Sequence, residues 1–444
     1  MSKIGFISLG CSKNGVDTEV MLHKLVSAGY DIVTEETEAD VVIVNTCGFI
    51  ESAKQESIDQ LLDVAWLKEN GNLKGLVATG CLAERYREQV MEEMPEVDAV
   101  IGVGSLDRIV EAVEAVLAGK RFSAFDDKET CKLGGDRVLT TPEYTAYLKI
   151  AEGCDNRCSY CAIPLIRGKM RSRTIEDIVD EAIELEKLGV KELNLIAQDT
   201  SRYGLDIYGK YSLHTLVQAI CKATDIPWIR LLYCYPDKIT DELIREMAEN
   251  PRLLPYMDIP IQHISDTVLQ KMNRHGGSDI IYDAIRRLRE GVPGVTLRTT
   301  AIVGFPGETE EDFEQLCKFI QEVKFDRFGA FTYSPEEDTP AALFPDQIDE
   351  QTKQDRYDIL MQTQLQISEA LQETKVGKTL TVLCEGYDSA NRIFVGRSQA
   401  DAPDVDGKVF FTATTPVEAG SFVKVRITEA LDYDLMGEYI SKAE

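Results

Sequence analysis

The sequence predicts an α/β protein in three parts: an N-terminal parallel-sheet α/β domain, a central partial (β/α)6 barrel and a C-terminal small antiparallel β-barrel. Two successive series of short apolar segments alternate with amphipathic segments, which indicates strands and helices that build parallel sheets. A third region of short alternating segments, separated by turn residues, is typical of a small barrel. With 444 residues, the chain is too long for one core, so several domains are expected.

The first domain is predicted over residues 1–125, from strand–helix units. Its apolar strands are expected at residues 3–9, 40–46, 75–79 and 99–103. The helices that follow them are expected at residues 19–28, 58–68, 82–94 and 106–118. Residues 126–142 are polar and rich in residues that break helices and strands, so they are interpreted as a linker.

The central domain is predicted over residues 143–373. Its strand candidates lie at residues 147–151, 193–197, 228–235, 257–261, 296–303 and 328–333. Helices are expected between them, for example at 175–188 and 310–323, and a long helix over 350–373 ends the domain. The active sites of such folds lie at the carboxyl ends of the strands.

The last domain is predicted over residues 374–444 as a β-barrel. Its strands are expected at residues 379–384, 393–396, 408–411 and 422–430.

The composition excludes some classes of protein. No apolar run approaches the ~20 residues of a membrane span, and the N-terminus lacks a signal-peptide pattern, so we expect a soluble, cytoplasmic protein with no membrane partner. The net charge is −28, which disfavours direct nucleic-acid binding because phosphate contacts need a basic face. An acidic surface suits a basic protein partner, although it equally well serves solubility alone.

The strongest local motif is a group of three cysteines, Cys154, Cys158 and Cys161, directly after a predicted strand. Three thiolates within eight residues can hold an iron–sulfur cluster and leave one iron open for a small molecule. The alternative is a structural zinc site. The lack of a fourth ligand nearby and the position at the end of a strand argue against zinc.

A second group of cysteines is spread along the first domain. Cys11, Cys47 and Cys81 each end one of the first three main strands, one strand–helix unit apart. Parallel strands lie only ~4.8 Å apart, so the three thiols are expected to converge at one sheet edge. Gly10, Gly48 and Gly80 flank them and allow the backbone to approach a metal closely. Core packing alone explains one cysteine at a strand end, but it hardly explains three cysteines at equivalent ends of three strands.

Other site candidates follow from their position at strand ends. Gln198 and Asp199 end the second strand of the central domain, and the glycine-rich segment 303–308, which contains Gly304, follows the fifth. That segment equally fits a turn into a helix that is capped by Thr309 and Asp312. Gln262 and His263 end the fourth strand, where a histidine is more often structural.

The basic segment 167–173, which ends at Arg173, is expected to contact a carboxylate, or else to be a solvated loop.

The remaining cysteines are interpreted differently. Four of them lie in amphipathic helices or strands and are interpreted as core residues: Cys221, Cys234, Cys317 and Cys384. Cys131 lies in the linker and receives no role.

The spacing of Cys154, Cys158 and Cys161, with Tyr160 before the last cysteine, resembles the signature of the radical S-adenosylmethionine superfamily. Together with Cys11, Cys47, Cys81 and a terminal barrel similar to a TRAM domain, the chain resembles the methylthiotransferases of that superfamily. Segments 9–14, 45–50 and 401–407 are similar to the subgroup that modifies a ribosomal protein. Ser12 departs from that pattern, since proline is usual there.

The resemblance implies two 4Fe–4S clusters and S-adenosylmethionine as cofactors. One cluster would lie on Cys154, Cys158 and Cys161 and the auxiliary cluster on Cys11, Cys47 and Cys81. Contacts to S-adenosylmethionine are expected from a set of residues at the strand ends and in the motif: Tyr160, Gln198, Asp199, Gly304 and Arg173. No catalytic side chain is expected beyond the cluster and cofactor chemistry, because the cofactor supplies the radical.

The implied reaction adds a methylthio group to the β-carbon of an aspartate in small-subunit ribosomal protein twelve. An electron donor such as a flavodoxin or ferredoxin is expected as a second partner. The alternative is the same chemistry on an adenosine of transfer RNA, and a third hypothesis is a non-catalytic, metal-binding RNA chaperone. The terminal barrel favours the protein substrate, because residues 376–444 hold seven Lys and Arg against eleven Asp and Glu.

Overall fold

The computed structural model describes residues 2–443 and contains three main sheets in the order that the sequence predicts. The first is a parallel sheet of six strands, in the order β2-β1-β3-β4-β5-β6. The strands are β1 (Lys3–Ser8), β2 (Asp31–Val33), β3 (Val41–Thr46), β4 (Gly75–Gly80), β5 (Ala99–Ile101) and β6 (Phe122–Ala124). The helices are α1 (Ser12–Ser27), α2 (Glu51–Asn70), α3 (Cys81–Tyr86), α4 (Glu88–Glu93) and α5 (Ile109–Leu117).

Strand β3 shows why this sheet is covered on both faces. All six of its residues are buried. Val42 and Val44 join one apolar cluster and Val41 and Ile43 join another, because successive side chains of a strand point to opposite faces.

Several predicted boundaries in this domain were wrong. Helix α1 begins at Ser12 and not at residue 19, because its first turn is polar but buried and so lacks an apolar pattern. The helix predicted at 82–94 is two helices, which are separated at Arg87, where φ is 48°. The edge strands β2 and β6 have only three residues each and were not predicted.

The central sheet is an open, parallel partial barrel of six strands, which confirms the predicted class. Its order is β14-β13-β12-β11-β10-β7. Its strands are β7 (Thr145–Lys149), β10 (Glu192–Ile196), β11 (Trp228–Leu231), β12 (Leu253–Asp258), β13 (Thr296–Val303) and β14 (Arg327–Thr332). A short antiparallel pair of strands that was not predicted consists of β8 (Ala151–Glu152) and β9 (Arg171–Ser172).

Helices cover the outside of this partial barrel. They are α6 (Ile163–Arg167), α7 (Ile175–Lys187), α8 (Leu205–Tyr208), α9 (Leu213–Ala223), α10 (Asp241–Glu249), α11 (Asp266–Lys271), α12 (Gly277–Gly291), α13 (Glu310–Val323) and α14 (Glu350–Glu373). Short 3-10 helices lie along the chain at Glu36–Glu38, Val103–Arg108, Thr200–Arg202, Pro236–Lys238 and Pro340–Leu343. Strand β11 was predicted too long: it ends at Leu231, and Tyr233 leaves the sheet with φ at 64°.

The third sheet is a closed five-stranded barrel. Its strands are β15 (Thr379–Asp388), β16 (Ile393–Ser398), β17 (Val409–Thr412), β18 (Phe422–Ala430) and β19 (Leu435–Lys442). Strand β19 was not predicted. Its pairing with β17 is parallel, whereas the other four pairings are antiparallel as expected.

The first and third sheets lie at opposite ends of the central one. The carboxyl edge of the first sheet meets the carboxyl ends of the central strands, for example where Arg85 Nη1 lies 2.9 Å from Glu336 Oε2. The C-terminal barrel contacts their amino ends, where Tyr256 donates a hydrogen bond of 2.6 Å to Asp406. Within residues 2–443, no helix is both long and apolar enough to cross a membrane.

Candidate active site

The first candidate centre is the edge of the N-terminal sheet where three neighbouring strands end. Cys11 precedes α1, Cys47 follows β3 directly, and Cys81 is the first residue of α3 after β4. Since β1, β3 and β4 are adjacent in the sheet, the three cysteines share one edge, as predicted. Beyond the effect of burial, Cys11 raises the pKa of the Cys47 thiol, and Cys11 and Cys47 both raise the pKa of the Cys81 thiol, which places the three within electrostatic range of each other.

Glycines let the backbone close tightly around these cysteines. A Cβ atom at Gly10, where φ is +85°, would lie 3.0 Å from the Cys47 Sγ. A Cβ at Gly48 would lie 2.8 Å from the Leu82 nitrogen. Any larger residue would displace the cysteines or the start of α3, so glycine is required for this arrangement.

The charges around the three thiols differ. Burial raises the pKa of the Cys81 thiol to about 12. The packing around Cys11 also opposes ionisation, but Lys13 and Arg167 outweigh it and lower the pKa of its thiol. Arg167 favours the thiolate of Cys81, and a coordinated metal would deprotonate this thiol despite its burial.

The second candidate centre is the loop between β8 and α6, which carries Cys154, Cys158 and Cys161. The Cys154 nitrogen donates to the Gly168 oxygen at 3.1 Å, and the Cys161 nitrogen donates to the Cys158 oxygen at 3.0 Å. Burial raises the pKa of the Cys154 thiol to about 12. Burial and, after it, the Cys158 and Cys154 thiols raise the pKa of the Cys161 thiol, so the loop holds its three thiols within electrostatic range of each other.

Two side chains from other elements contact the central cysteine of this loop. The Tyr235 hydroxyl lies 3.7 Å from the Cys158 Sγ, and Arg274 Nη1 lies 4.0 Å from it. The same Arg274 nitrogen donates to the Tyr160 hydroxyl at 3.2 Å. The Tyr160 ring in turn meets Phe305 edge to face at 6.4 Å, so the motif tyrosine touches the glycine-rich segment after β13.

A buried network of charges joins the two centres. Arg167 ends α6 and donates from Nη2 to the Cys81 Sγ at 3.2 Å. Its Nη1 contacts Asp17 at 2.5 Å and Glu152 at 3.1 Å. Lys149 also contacts both carboxylates. Two cations and two carboxylates therefore balance each other between the sheet edge and the loop.

The carboxylate of Glu152 belongs to both parts of the site. Glu152 lies two residues before Cys154, and the Gln198 side chain donates to it. Burial alone would raise the pKa of this carboxyl, but Lys149 and Arg167 hold it well below its usual range. The network thus stays ionised and fixes the loop against the first domain.

Asp199 lies beside this loop. It accepts hydrogen bonds from Asn156 at 2.7 Å and from Ser201 at 2.6 Å. Because Asn156 belongs to the cysteine loop, Asp199 positions that loop.

The glycine-rich segment is held by its own glutamate. Gly304 has φ at +72°, and its nitrogen donates to Glu308 Oε2 at 2.7 Å. Phe305 donates to the same oxygen at 3.1 Å. The predicted cap also forms, with Thr309 and Asp312 in a capping box. Direct contacts of Tyr160, Gln198, Asp199 and Gly304 to S-adenosylmethionine stay a prediction.

Arg173 is buried beside acidic side chains. Its Nε donates to Asp177, its Nη1 to the Lys149 oxygen and its Nη2 to the Asp177 oxygen, and Nη1 also forms an ion pair with Glu181. A contact of Arg173 with S-adenosylmethionine stays a prediction. Arg167, at the other end of the same basic segment, is the arginine that reaches a cysteine.

The remaining cysteines lie apart from the two centres. Cys234 and Cys384 are buried among apolar residues, and Cys221 and Cys317 pack against the main core, as expected. Cys131 lies 3.4 Å from Arg171 Nη2 in the linker.

Both cysteine groups suit a cluster in their chemistry, because three thiolates leave one iron open. Among residues 2–443, no three His, Cys, Asp or Glu side chains are arranged to hold a single metal ion. That finding concerns a single ion, whereas the ligands of a four-iron cluster lie farther apart.

Sequence reasoning missed the residues between the two centres. Lys13, Lys149 and Glu152 are buried and charged; Lys149 and Glu152 belong to no motif, and Lys13 lies in segment 9–14 but received no role of its own. The available signal was the position of Lys149 and Glu152 in an otherwise apolar strand region that leads to Cys154, since charges are rarely buried without a partner.

Three family models match consecutive parts of the chain. The Uncharacterized protein family UPF0004 matches residues 3–102, the Radical SAM superfamily matches 148–320, and the TRAM domain matches 376–440. Among curated proteins, the ribosomal protein uS12 methylthiotransferase RimO of Desulforamulus reducens is 50% identical over 441 residues, which is 99% of each chain. The chain belongs to the RimO family.

A second RimO, that of Clostridioides difficile, is 49% identical and also covers 99% of each chain. Membership of the RimO family makes the chain a radical S-adenosylmethionine methylthiotransferase, whose cofactors are 4Fe–4S clusters and S-adenosylmethionine.

Among solved structures, the radical S-adenosylmethionine methyltransferase TsrM of Kitasatospora setae matches with a TM-score of 0.56. It is 14% identical and covers 77% of this chain and 74% of its own. This likeness concerns the fold.

Proposed function

We propose that this enzyme adds a methylthio group to the β-carbon of an aspartate in ribosomal protein uS12. The observation that carries the proposal is the arrangement of the two cysteine groups. Both lie where the first sheet meets the carboxyl ends of the central strands, and Arg167 contacts Cys81 while belonging to the segment after Cys161. One substrate carbon can therefore meet two centres.

The cysteines have separate roles in this proposal. Cys154, Cys158 and Cys161 hold the cluster that binds S-adenosylmethionine, and Cys11, Cys47 and Cys81 hold the auxiliary cluster. When bound, these cofactors supply a radical that can take hydrogen from an unactivated C–H bond and a sulfur atom for transfer. The protein orients both centres toward one carbon and keeps water away from them.

Side chains around the two centres hold them in place. Asp199 fixes the cysteine loop through Asn156, and Tyr235 and Arg274 lie against Cys158. Glu308 holds the Gly304 and Phe305 nitrogens, which shapes the segment that we propose for contact with S-adenosylmethionine.

The charge of the chain supports a basic protein as the substrate. The net charge is −28, and a basic ribosomal protein is electrostatically complementary to an acidic surface. A substrate of this kind places the enzyme in the cytoplasm. The reaction also needs an electron, for which we propose a flavodoxin or ferredoxin as the donor.

The test is an anaerobic assay of the reconstituted chain with S-adenosylmethionine, a reductant and purified uS12. Intact-mass spectrometry of uS12 should show the gain of a methylthio group. Cys158→Ala and, separately, Cys47→Ala should abolish that gain. Cys317→Ala is the matched control, because Cys317 packs in α13 away from both centres, and it should keep activity.

Two outcomes would count against parts of the proposal. Formation of 5′-deoxyadenosine with unmodified uS12 would refute the substrate and make transfer RNA the next to test. Transfer by the Cys47→Ala variant at the wild-type rate would refute the role of the first cysteine group.

A further inference from the structure

Lys13 is a buried cation without a carboxylate partner. The residue is 8% exposed, and its Nζ lies 3.2 Å from the centroid of the Tyr233 ring. In the part of the chain that the structure describes, residues 2–443, no Asp or Glu oxygen lies within 4.0 Å of this nitrogen. The other lysines of similar burial each contact a carboxylate; they are Lys54, Lys149, Lys238 and Lys353.

The position of Lys13 relates it to both cysteine groups. It lies two residues after Cys11 and packs on Tyr233, in the turn after β11. Two residues later in the same turn, the Tyr235 hydroxyl lies 3.7 Å from the Cys158 Sγ. The turn that contains Tyr233 and Tyr235 therefore contacts both Lys13, beside the first cysteine group, and Cys158 of the second group.

The turn itself is fixed, so it holds the lysine in a defined place. The Tyr233 nitrogen donates to Asp258 Oδ2 at 2.9 Å, and its oxygen accepts from the Thr200 nitrogen at 2.9 Å. The φ of Tyr233 is 64°, a conformation that a bulky residue adopts only when its surroundings impose it. The tyrosine face attracts the ammonium through a cation–π interaction.

A buried ammonium that packs on an aromatic face and contacts no carboxylate favours an anion. Removing a charge from water is costly unless the charge is paired, and a ring offsets only part of that cost. In the proposed function the reacting carbon lies between the two cysteine groups, and Lys13 contacts the turn that also reaches Cys158. In an aspartate, the reacting β-carbon is bonded directly to the carboxylate.

We propose that Lys13 binds the carboxylate of the substrate's aspartate side chain and is a specificity-determining residue. This inference rests on the proposed function, because it needs an acidic side chain as the target. An amide or a neutral nucleobase carries no anion for Lys13. The lysine therefore selects an aspartate over an asparagine at the same position.

The test measures binding of two peptides that copy the uS12 loop, one with the target aspartate and one with asparagine in its place. The reconstituted full chain is used, with S-adenosylmethionine present and no reductant. Wild type should bind the aspartate peptide at least about tenfold more tightly, since an unpaired buried charge is costly. Lys13→Met should bring the ratio of the two dissociation constants to near one, and Lys13→Arg should restore most of it.

Lys120→Met is the matched control. It removes the same charge from an exposed site before β6, at the opposite edge of the sheet, and should leave the ratio unchanged. The iron content and the electron paramagnetic resonance spectrum of each variant separate a loss of discrimination from a loss of clusters.

Two results would overturn the inference: equal binding of both peptides by wild type, or an unchanged ratio in Lys13→Met. A failure of the proposed function looks different, because wild type would then leave intact uS12 unmodified in the mass assay. If Lys13 serves only to balance the charge of the auxiliary cluster, Lys13→Met weakens both peptides equally.

Discussion

Two buried side chains near the glycine-rich segment, Glu308 and His263, have pKa values that differ from those of free side chains. Burial raises the pKa of the Glu308 carboxyl to about 7, although Arg356 and two backbone nitrogens lower it. Burial lowers the pKa of His263 to about 4. The His263 Nδ1 accepts from the Ser265 nitrogen, so its Nε2 carries the hydrogen and faces Glu308 at 4.0 Å.

These two shifts predict opposite pH effects on stability. The raised pKa of Glu308 contributes stability below pH 4.5 that is lost as the pH rises through about 7. The lowered pKa of His263 contributes stability above pH 6.5 that is lost as the pH falls through about 4. In the wild type, the effects of Glu308 and His263 on stability therefore have opposite signs as the pH rises between these values.

Single variants should separate the two trends. Relative to wild type, Glu308→Gln should gain stability as the pH rises from 4.5 to about 7, and His263→Gln should lose stability from about 4 to 6.5. Each change should reach at most about 3 kcal/mol. Urea unfolding of the apo chain at several pH values measures both, and differences that are independent of pH would contradict the prediction.

The turn into α13 requires glycine at Gly304 for two reasons, a positive φ and a close contact with a neighbouring side chain. At Gly304, φ is +72°, and a Cβ atom would overlap the Lys353 Cγ, which is itself buried. At Gly119, after α5, φ is +69° but nothing lies within 4 Å of a Cβ. The two glycines therefore share the backbone conformation and differ only in the contact.

Alanine at each position separates the two effects. Gly119→Ala should cost about 1 kcal/mol through the positive φ. Gly304→Ala should lower the free energy of unfolding by about 1–3 kcal/mol more, because the added Cβ atom would overlap the packed side chain of Lys353. Thermal or urea denaturation measures both, and equal losses would show that Lys353 moves away freely.

At the level of elements, the sequence allowed the alternation of strands and helices to be predicted, and with it the positions of Cys11, Cys47 and Cys81 after three neighbouring strands and of the second cysteine group in a loop after a strand. Short elements escaped prediction. Strands β2, β6, β8 and β9 have two or three residues each, too few for a pattern. The start of α1 escaped because Lys13, Asn14 and Asp17 are polar and nevertheless buried, so their burial leaves no apolar periodicity.

Contacts between distant segments were beyond the reach of sequence patterns. Arg173 and Arg167 belong to the same basic segment, and nothing in their spacing distinguishes them. The fold turns one toward Glu181 and the other toward Cys81. Arg167 and Cys81 are 86 residues apart in the sequence, and only the tertiary structure brings them together.

In the whole molecule, the C-terminal barrel is fixed to the central domain by a buried group of charges. Glu192 begins β10 and accepts from Arg230 of β11 and from Arg397 of β16, at 3.0 Å each. All three side chains are fully buried. Opposite charges lower the pKa of Glu192 against the effect of burial, so it stays ionised.

Removing this carboxylate should strongly weaken the attachment of the barrel. Glu192→Gln leaves two buried arginines without their shared partner, which should cost about 3–5 kcal/mol. Glu184→Gln is the matched control, because Glu184 pairs with Lys187 at 2.6 Å on the surface, and it should cost less than about 0.5 kcal/mol. Urea unfolding measures both, and similar losses would show that the buried group contributes little.

The contact of Arg167 with Cys81 has a consequence for biogenesis. Cys11, Cys47 and Cys81 are synthesised before the arginine that donates to one of them, so the first domain leaves the ribosome with its thiol edge uncovered. Residues 82–167 have to be translated and folded before that edge meets its partner. With the auxiliary cluster assigned to these cysteines as proposed, we predict that iron and sulfur are inserted after translation has passed Arg167, and that a chain truncated before this point keeps three thiols open to oxidation.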